Sequence, residues 1–426
     1  MALAGCPADG PPEEPGGDLD RRVRPPSVLE DDALPAVWRP MRVRPQAVGA
    51  QEGVEALGPE HLALLRRALD GPAEGRAEIA ERLQREVGAE AVARALPRLD
   101  DFGPFPSRLV EGRISGASFE DQPYLVVLPE GYDPSRPWPL HIDLHGGGGQ
   151  GSHTRCLKHW GTSPGPFLLL CPTTFKGHWW HDEGEETALA ALDDALLHFN
   201  VDTDRVSVGG LSNGGNGTWH LGHKHPWRWA ALVPRCAGHI HGFKYVHNII
   251  GLPVFMIHGA ADSTIGVDHS RQMLEAFERL GRRVQYTEVE EGGHAFFPEL
   301  NAEVAPWLMR QRRELPASFG FVPTPGYDHG VVHWLQVWPP GPMRAELIDG
   351  EQGAQISVLT RAPAERLKIH LNASMVDLTK PVKVSYQGAV VFEGVAAQHA
   401  GVALESWAAA RDKGRIFTAA LEIDLR

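Results

Sequence analysis

The chain is poor in basic residues, which limits the partners it can bind. Only 41 Lys and Arg residues oppose 54 Asp and Glu residues, so the formal net charge is −13. Binding to a nucleic acid requires a basic surface that neutralises phosphates, so we do not expect a nucleic acid as the main partner. No apolar run reaches the roughly 18 residues of a membrane-spanning helix, and we expect no transmembrane segment. The 42% hydrophobic and 22% charged content is typical of a globular protein.

Cysteine is also scarce. The chain has four cysteines, Cys6, Cys156, Cys171 and Cys236, and no two of them form a CxxC pair. A metal site built on thiolates is therefore not expected. A disulfide between two of the last three is compatible with the sequence, which does not decide the pairing.

Cys6 belongs to a different pattern. Leu3-Ala4-Gly5-Cys6 resembles a bacterial lipobox, in which the cysteine is acylated, and a Pro- and Gly-rich stretch follows it. Five residues precede Cys6, without a basic or an apolar segment of a signal peptide. Two interpretations stay open: the true start lies upstream and the protein is a periplasmic or extracellular lipoprotein, or the match is accidental and the protein is cytoplasmic.

Composition and periodicity change along the chain and suggest four regions. Residues 1–40 are rich in Pro, Gly and charge, which predicts a disordered leader or tether. Residues 41–103 carry apolar residues at helical spacing, which predicts short helices. In residues 104–314, apolar runs alternate with helical stretches, which predicts an α/β domain with a mostly parallel, doubly wound sheet. Residues 315–426 alternate apolar and polar side chains, which predicts a small antiparallel, sandwich-like β domain.

A strand followed by a glycine-rich turn contains the first candidate catalytic residue. The segment from Val206 to Gly215 places Ser212 in a G-x-S-x-G motif between an apolar strand and a helix. This is the pattern of a nucleophile elbow, which presents a serine hydroxyl at the edge of a parallel sheet. The alternative is a glycine-rich turn with an incidental serine.

An aspartate and a histidine further along the chain complete a candidate catalytic triad with Ser212. Asp262 follows the strand that ends near Ile257, and His294 lies in a Gly-flanked loop after the last strand. An acid and a base in these positions would activate Ser212 for nucleophilic attack. Asp262 has an alternative role in an Asx turn or as a helix N-cap. Other histidines such as His239 precede Asp262, and so do not follow the Ser, Asp, His order.

A glycine-rich segment after another strand predicts the oxyanion hole. Leu144-His145-Gly146-Gly147-Gly148-Gly149 allows backbone N–H groups to converge without side-chain obstruction. We expect N–H groups of this loop and the N–H group of Asn213 to donate to the oxyanion. Phosphate binding is the competing use of such a loop, but the Gly-Lys-Ser/Thr of a P-loop is absent.

The ordered motifs HGGGG, GLSNGG, HGAAD and GGH resemble those of the α/β-hydrolase superfamily. The serine motif resembles feruloyl-esterase-like and polyhydroxyalkanoate-depolymerase-like enzymes, and the whole block is also similar to carboxylesterases and to predicted serine peptidases of this fold. The resemblance spans about residues 104–312. It implies Ser212 as nucleophile, Asp262 as acid and His294 as base, with Gly147 and Asn213 as oxyanion donors. It also implies that no metal and no organic cofactor is needed.

Aromatic residues near these motifs are candidates for substrate binding. Trp179 and Trp180 are adjacent in a polar loop, where they would stack on an aromatic acyl group or a sugar. The alternative is that Trp180 packs under the sheet. His239 lies in a histidine-rich loop expected to line the leaving-group pocket, or to be solvated. A metal bound by His178 and His181 is the weaker interpretation of the tryptophan loop.

Three functions follow from the sequence. The first is an esterase that acts through an acyl-enzyme on a small-molecule ester, including a carbohydrate-linked one. The second is a serine exopeptidase with the same triad and a peptide substrate. The third is a non-catalytic envelope protein that binds glycans through its C-terminal domain. Trp334 and Trp338 are candidates for this binding, and the alternative is that they pack between domains.

Overall fold

A computed structural model describes residues 38–41, 44, 57–72, 75–147, 152–175, 177–327 and 331–426. The predictions for Cys6 and for nearly all of the leader therefore lie outside the described residues. The N-terminal region begins with the short strand β1 (Arg39–Pro40). Three helices follow it, as the apolar spacing predicts: α1 (Pro59–Asp70), α2 (Arg76–Glu86) and α3 (Ala89–Ala95).

The central region alternates strands and helices. Its strands are β2 (Leu109–Ile114), β3 (Gln122–Val127), β4 (Trp138–Leu144), β5 (Leu168–Pro172), β6 (Val201–Leu211), β7 (Ala231–Arg235), β8 (Phe255–Gly259) and β9 (Gln285–Val289). Its helices are α4 (Cys156–Trp160), α5 (Asp182–His198), α6 (Asn213–Lys224), α7 (Asp268–Arg279) and α8 (Asn301–Leu308).

These strands form an eight-stranded sheet in the order β2-β3-β5-β4-β6-β7-β8-β9. β3 pairs antiparallel with β2 and β5, and the pairs from β5 to β9 are parallel. Every residue of β4, β5, β7 and β8 is buried, as expected for parallel strands with both faces covered. Separate apolar clusters cover the two faces, and the predicted doubly wound sheet is confirmed.

The C-terminal region is a β sandwich with one helix. Its elements are β10 (Pro316–Phe321), β11 (Val331–Val332), β12 (Leu335–Trp338), β13 (Met343–Gly350), β14 (Gly353–Thr360), β15 (Arg366–Leu371), β16 (Pro381–Tyr386), β17 (Ala389–Val395), α9 (Ala400–Ala410) and β18 (Ala419–Asp424). One sheet has the order β1-β10-β13-β14-β16-β17, and the other has the order β11-β12-β15-β18.

The pairing in this sandwich is antiparallel, as predicted, except between β14 and β16, which are parallel. The exception follows from the topology. After β14 the chain crosses to β15 in the other sheet and then returns, so that β16 runs in the same direction as β14.

The N-terminal helices pack on the C-terminal region. Leu65, Leu83 and Val92 form a cluster with Leu404 and Trp407 of α9, and all five are fully buried. β1 extends the larger sheet of the sandwich, with Arg39 opposite Ser318. Within the described residues, no helix has the length and apolar character needed to cross a membrane.

Candidate active site

Ser212 occupies a strained turn between β6 and α6. Its backbone has φ 57° and ψ −117°, in the left-handed region that a side chain disfavours. Its N–H donates to the carbonyl of Arg235 at the end of β7. A Cβ on Gly214 would lie 1.9 Å from the carbonyl oxygen of Leu144, so only glycine allows this approach of α6 to β4. The turn is thus the sharp strand-to-helix connection that the G-x-S-x-G pattern predicts.

Asp262 and His294 are joined by a hydrogen bond. Nδ1 of His294 lies 2.7 Å from Oδ2 of Asp262. Oδ1 of Asp262 accepts from the N–H groups of Thr264 and Ile265 at 2.8 and 2.9 Å, so the carboxylate also closes the Asx turn given above as its alternative role. Burial raises the pKa of Asp262, but the hydrogen bonds from His294 and from these two N–H groups outweigh it and hold the pKa below its usual value. The carboxylate therefore stays ionised and orients His294.

A second histidine contacts the same carboxylate, and the sequence analysis missed it. Nε2 of His258 lies 3.3 Å from Oδ2 of Asp262 and 2.8 Å from the carbonyl oxygen of Ile265. Nδ1 of His258 lies 2.7 Å from the hydroxyl of Ser270. Burial lowers the pKa of His258. A neutral His258 with its proton on Nε2 satisfies all three contacts and adds a donor to Asp262. The available signal was the position of His258 four residues before the acid.

Cys236 also lies beside this carboxylate. The ligand atoms of Cys236, His258 and Asp262 lie within 4.8 Å of one another, which is close enough for metal ligation. Burial raises the pKa of Cys236 to about 11, so the thiolate that a metal requires is disfavoured. Its Sγ instead donates to the carbonyl of Ala295, next to His294. The cluster is better explained as packing that positions the acid and the base.

Three side chains from outside the glycine loop hold three consecutive carbonyl groups of the loop, and Nδ1 of His145 also lies 3.1 Å from the carbonyl oxygen of Gly146. Nε1 of Trp179 donates to His145 at 2.9 Å, Nη1 of Arg155 donates to Gly146 at 3.0 Å, and Nδ2 of Asn213 donates to Gly147. Gly147 itself has φ 80°. These bonds fix the peptide planes, and with them the directions of the N–H groups of Gly146 and Gly147. Gly148 and Gly149 lie outside the described residues.

The prediction that Trp179 binds substrate is wrong. The side chain is fully buried, and its Cβ packs so closely against α6 that a Cβ on Gly217 would lie 2.3 Å away. Trp180 is partly exposed instead, stacked on His178 with ring centres 4.3 Å apart. The backbone N–H of Trp179 donates to Oδ1 of Asn213, which places this aromatic pair beside the serine turn.

The histidines of the loop after β7 point in different directions. His239 is partly exposed, and its Nε2 lies 3.1 Å from Oε1 of Gln272 on α7. His241 turns inward, where its Nε2 lies 2.7 Å from Nδ1 of His220, and His247 is buried. His239 and His241 are both partly exposed, and the ring of His239 lies against α7 rather than against His220, so its role in a substrate pocket stays a prediction.

The order of the catalytic candidates along the sheet identifies the fold. Counted from β2, the eight strands have the order 1-2-4-3-5-6-7-8. Ser212 follows the fifth strand, Asp262 the seventh and His294 the eighth. The central domain has the α/β-hydrolase fold. In this fold these three loops meet at the carboxyl edge of the sheet, where Ser212, the Asp262–His294 pair and the glycine loop all lie.

Comparison with known proteins gives limited similarity. No protein-family model matches the chain. It is 27% identical over 205 residues to an uncharacterized secreted protein of Arthroderma benhamiae, covering 38% of this chain and 22% of that protein. It is 24% identical over 163 residues to a probable feruloyl esterase C of Aspergillus terreus, covering 36% of this chain and 60% of that protein.

Among solved structures, a thermostable esterase aligns with a TM-score of 0.42 and 24% identity, covering 48% of this chain and 63% of that one. The chain thus spans less than two thirds of the length of each of these three proteins.

Proposed function

We propose that the protein is a serine hydrolase that cleaves carboxylic esters through Ser212, His294 and Asp262. The observation that carries the proposal is the backbone of Ser212 at φ 57° and ψ −117°. A strained conformation at a non-glycine residue costs about 1–3 kcal/mol, persists only where the surrounding structure enforces it, and is common at active sites. The neighbouring pair of Asp262 and His294, at 2.7 Å, supplies an oriented base at the same edge of the sheet.

The reaction proceeds in two halves. Ser212 Oγ attacks the ester carbonyl carbon while Nε2 of His294 takes the hydroxyl proton, and Asp262 stabilises the imidazolium. The N–H groups of Gly147 and Asn213 donate to the oxyanion of the tetrahedral intermediate. The intermediate collapses, the bond to the alcohol oxygen breaks, and His294 returns the proton to the alcohol. His294 then takes a proton from water, which attacks the carbonyl carbon of the acyl-enzyme. The bond to Ser212 Oγ breaks, His294 returns the proton to this oxygen, and the acid is released.

An aromatic acyl group is the substrate feature best supported. Trp180 and His178 present a stacked aromatic pair, partly exposed, in the loop that Asn213 ties to the serine turn. Aromatic rings stack on such surfaces with a gain of about 0.5–1.5 kcal/mol beyond burial. The name of the relative from Aspergillus terreus, a probable feruloyl esterase, is consistent with this preference.

The alternative function, glycan binding without catalysis, is weakened because one of its two candidate tryptophans is buried. Trp334 is fully buried in the core of the C-terminal region, and its Nε1 donates to Pro316 at 2.7 Å. It therefore offers no surface to a glycan. Trp338 is partly exposed, but the guanidinium group of Arg366 lies over its ring, with the guanidinium carbon 4.2 Å from the ring centre.

The test compares wild type with Ser212→Ala on p-nitrophenyl acetate, methyl ferulate and aminoacyl-p-nitroanilides. Ser135→Ala is the matched control, because Ser135 is exposed in the loop before β4. We expect ester turnover in wild type and the control, none in Ser212→Ala, and fluorophosphonate labelling that requires Ser212. Faster cleavage of the anilides than of the esters would favour the exopeptidase. Equal inactivity of all three proteins without labelling would contradict a catalytic role.

A further inference from the structure

We propose that a cleft between the hydrolase domain and the C-terminal β sandwich binds a small organic anion. The cleft has a volume of about 310 Å³. Its lining includes Ala230 and Pro253, which lie one and two residues before the parallel strands β7 and β8. Ser212 lies beyond the opposite, carboxyl ends of the strands. The cleft is therefore separate from the proposed catalytic site, and the inference does not depend on the proposed function.

Part of the cleft wall is apolar and aromatic. Pro226, Leu252 and Pro253 contribute apolar surface. Trp38 lies across Gly251, where an added Cβ would be 2.0 Å from its Nε1, so only glycine allows the indole to occupy this place. The guanidinium carbon of Arg282 lies 5.4 Å from the centre of the Trp38 ring. This combination suits a ligand with an apolar or aromatic part.

Four arginines line the cleft, opposed by Glu314: Arg282, Arg310, Arg312 and Arg313. Arg312 is paired with Asp202 and Asp204 at 3.0 and 3.3 Å. The side chains of Arg282 and Arg310 make no ion pair with a carboxylate in the described part of the chain. The protein has a net charge of −13, whereas this cleft carries two unpaired guanidinium groups, whose positive charge attracts anions.

Arg313, which lines the cleft, has one N–H group without a hydrogen-bond acceptor among the described residues. Its side chain is 5% exposed, and Nη2 lies 2.8 Å from Asp204 and 2.7 Å from Asp412. Nη1 donates to the carbonyl of Trp227 at 3.0 Å, but the buried Nε has no partner in the part of the chain that the structure describes. Nδ1 of His333, which also lines the cleft, is buried and has no partner among the described residues. A buried donor without an acceptor costs about 1–3 kcal/mol, so this wall favours a ligand that supplies acceptor oxygens.

A second buried cation adds to this shortage of acceptors. Nη1 and Nη2 of Arg415 are both buried without a partner in the described structure. Burial, and then the proximity of Arg313, lowers the pKa of Arg415 to about 9. The two guanidinium groups repel each other, Asp412 and Asp204 counter this repulsion in part, and an anion bound beside Arg313 would counter it further.

The ligand class follows from these walls. A carboxylate or a phosphate monoester supplies several acceptor oxygens and matches the planar donors of arginine. Its aryl or alkyl part would contact Trp38 and Leu252. A molecule of this kind fits the observed volume, whereas the apolar wall gives an inorganic anion no additional contact.

Calorimetric titration of the full chain at constant ionic strength tests the proposal with phenyl phosphate, phenylacetate and inorganic phosphate, and with neutral benzyl alcohol as the uncharged probe. We expect one aryl anion to bind with a Kd below about 1 mM and at least about 5-fold more tightly than inorganic phosphate, and benzyl alcohol not to bind. Tighter binding of phenyl phosphate than of phenylacetate would assign a phosphorylated ligand, and the reverse order a carboxylate.

The double variant Arg282→Ala/Arg310→Ala should weaken binding by at least about 10-fold, since it removes both unpaired cations. Arg279→Ala is the matched control, because Arg279 is exposed on the neighbouring helix α7, pairs with Glu275 and does not line the cleft. Its Kd should equal that of wild type, and turnover of p-nitrophenyl acetate should be unchanged in all three proteins. If the double variant does not fold, Arg282→Gln alone repeats the comparison.

No binding of either aryl anion by wild type up to about 10 mM would overturn the proposal, and so would equal affinity in the double variant and wild type. Either result would mean that solvent, rather than a ligand, supplies the acceptors for Arg313.

Discussion

Arg155 donates from Nη1 to the carbonyl oxygen of Gly146 at 3.0 Å, and this carbonyl belongs to the same peptide group as the N–H of Gly147. In a planar trans peptide the C=O and N–H point in opposite directions, so Arg155 fixes the direction of the proposed oxyanion donor from its far side. Arg155 is exposed, and nothing in the sequence distinguishes it from the other arginines.

Replacing Arg155 should therefore reduce kcat without a matching effect on KM. Losing one well-placed oxyanion donor costs about 10²–10³ in kcat, and we expect Arg155→Ala to lower kcat by about 10-fold because the N–H stays but is less well oriented. Arg155→Lys should recover part of the loss.

Lys158→Ala is the matched control, since Lys158 is exposed on the helix that follows Arg155. Steady-state kinetics on p-nitrophenyl acetate measure the effect. A rise in KM at constant kcat would instead indicate that Arg155 binds the substrate.

The disulfide between Cys156 and Cys171 ties this part of the chain to β5. Its sequence separation is 15 residues, and closing such a loop restricts the unfolded chain by about 3 kcal/mol. The double variant Cys156→Ser/Cys171→Ser should lower the free energy of unfolding by about that amount and also reduce kcat, because Cys156 follows Arg155 directly.

Urea denaturation and kinetics in parallel test this prediction. Wild type with the disulfide reduced by dithiothreitol controls for the substitutions themselves, since both side chains then stay in place as thiols. Unchanged kcat in the double variant would show that Arg155 is held without the disulfide.

The fold could be predicted from the sequence because its signals are local. Buried parallel strands appear as apolar runs, and the turn at Ser212 needs glycines at fixed positions, so both leave a pattern. The assignment of Asp262 and His294 relied on their order along the chain. Their hydrogen bond is observed, whereas the catalytic roles of all three residues stay predictions.

Other features depend on contacts between distant segments, which a single sequence does not reveal. Trp179 has the composition of an exposed loop residue, but it is buried because α6 approaches it through Gly217. The parallel pairing of β14 with β16 depends on where β15 is placed. The role of Arg155 depends on a hydrogen bond to a backbone carbonyl, which any long donor at that position could make.

Buried histidines should make stability depend on pH. His223 is fully buried with no partner for either ring nitrogen among the described residues, and burial, assisted by His241 and His220, lowers its pKa from 6.5 to about 3. Between these values the unfolded chain binds a proton that the folded chain does not, so stability falls as the pH decreases from 6.5 towards 3. Each such histidine contributes a slope of about 1.4 kcal/mol per pH unit in this range.

His223→Leu removes this contribution and keeps a side chain of similar size. Between about pH 7.5 and pH 5, the free energy of unfolding should fall by about 2 kcal/mol less in His223→Leu than in wild type. His198→Gln is the control, since His198 is exposed at the end of α5. Denaturation at both pH values gives the comparison, and parallel curves for His223→Leu and wild type would show that His223 is protonated in the folded state.

The strained backbone of Ser212 gives the last prediction. Glycine adopts φ 57° without steric cost, whereas alanine retains the clash of Cβ. Ser212→Gly should therefore be more stable than Ser212→Ala by about 1 kcal/mol, after the greater unfolded-state entropy of glycine is deducted from the strain. Both variants should be inactive, so urea denaturation compares them without a bound substrate. A less stable glycine variant would mean that the turn is not strained. The expected order would instead mean that the protein gives up stability at this residue to hold the serine hydroxyl in place, which a purely structural turn has no reason to do.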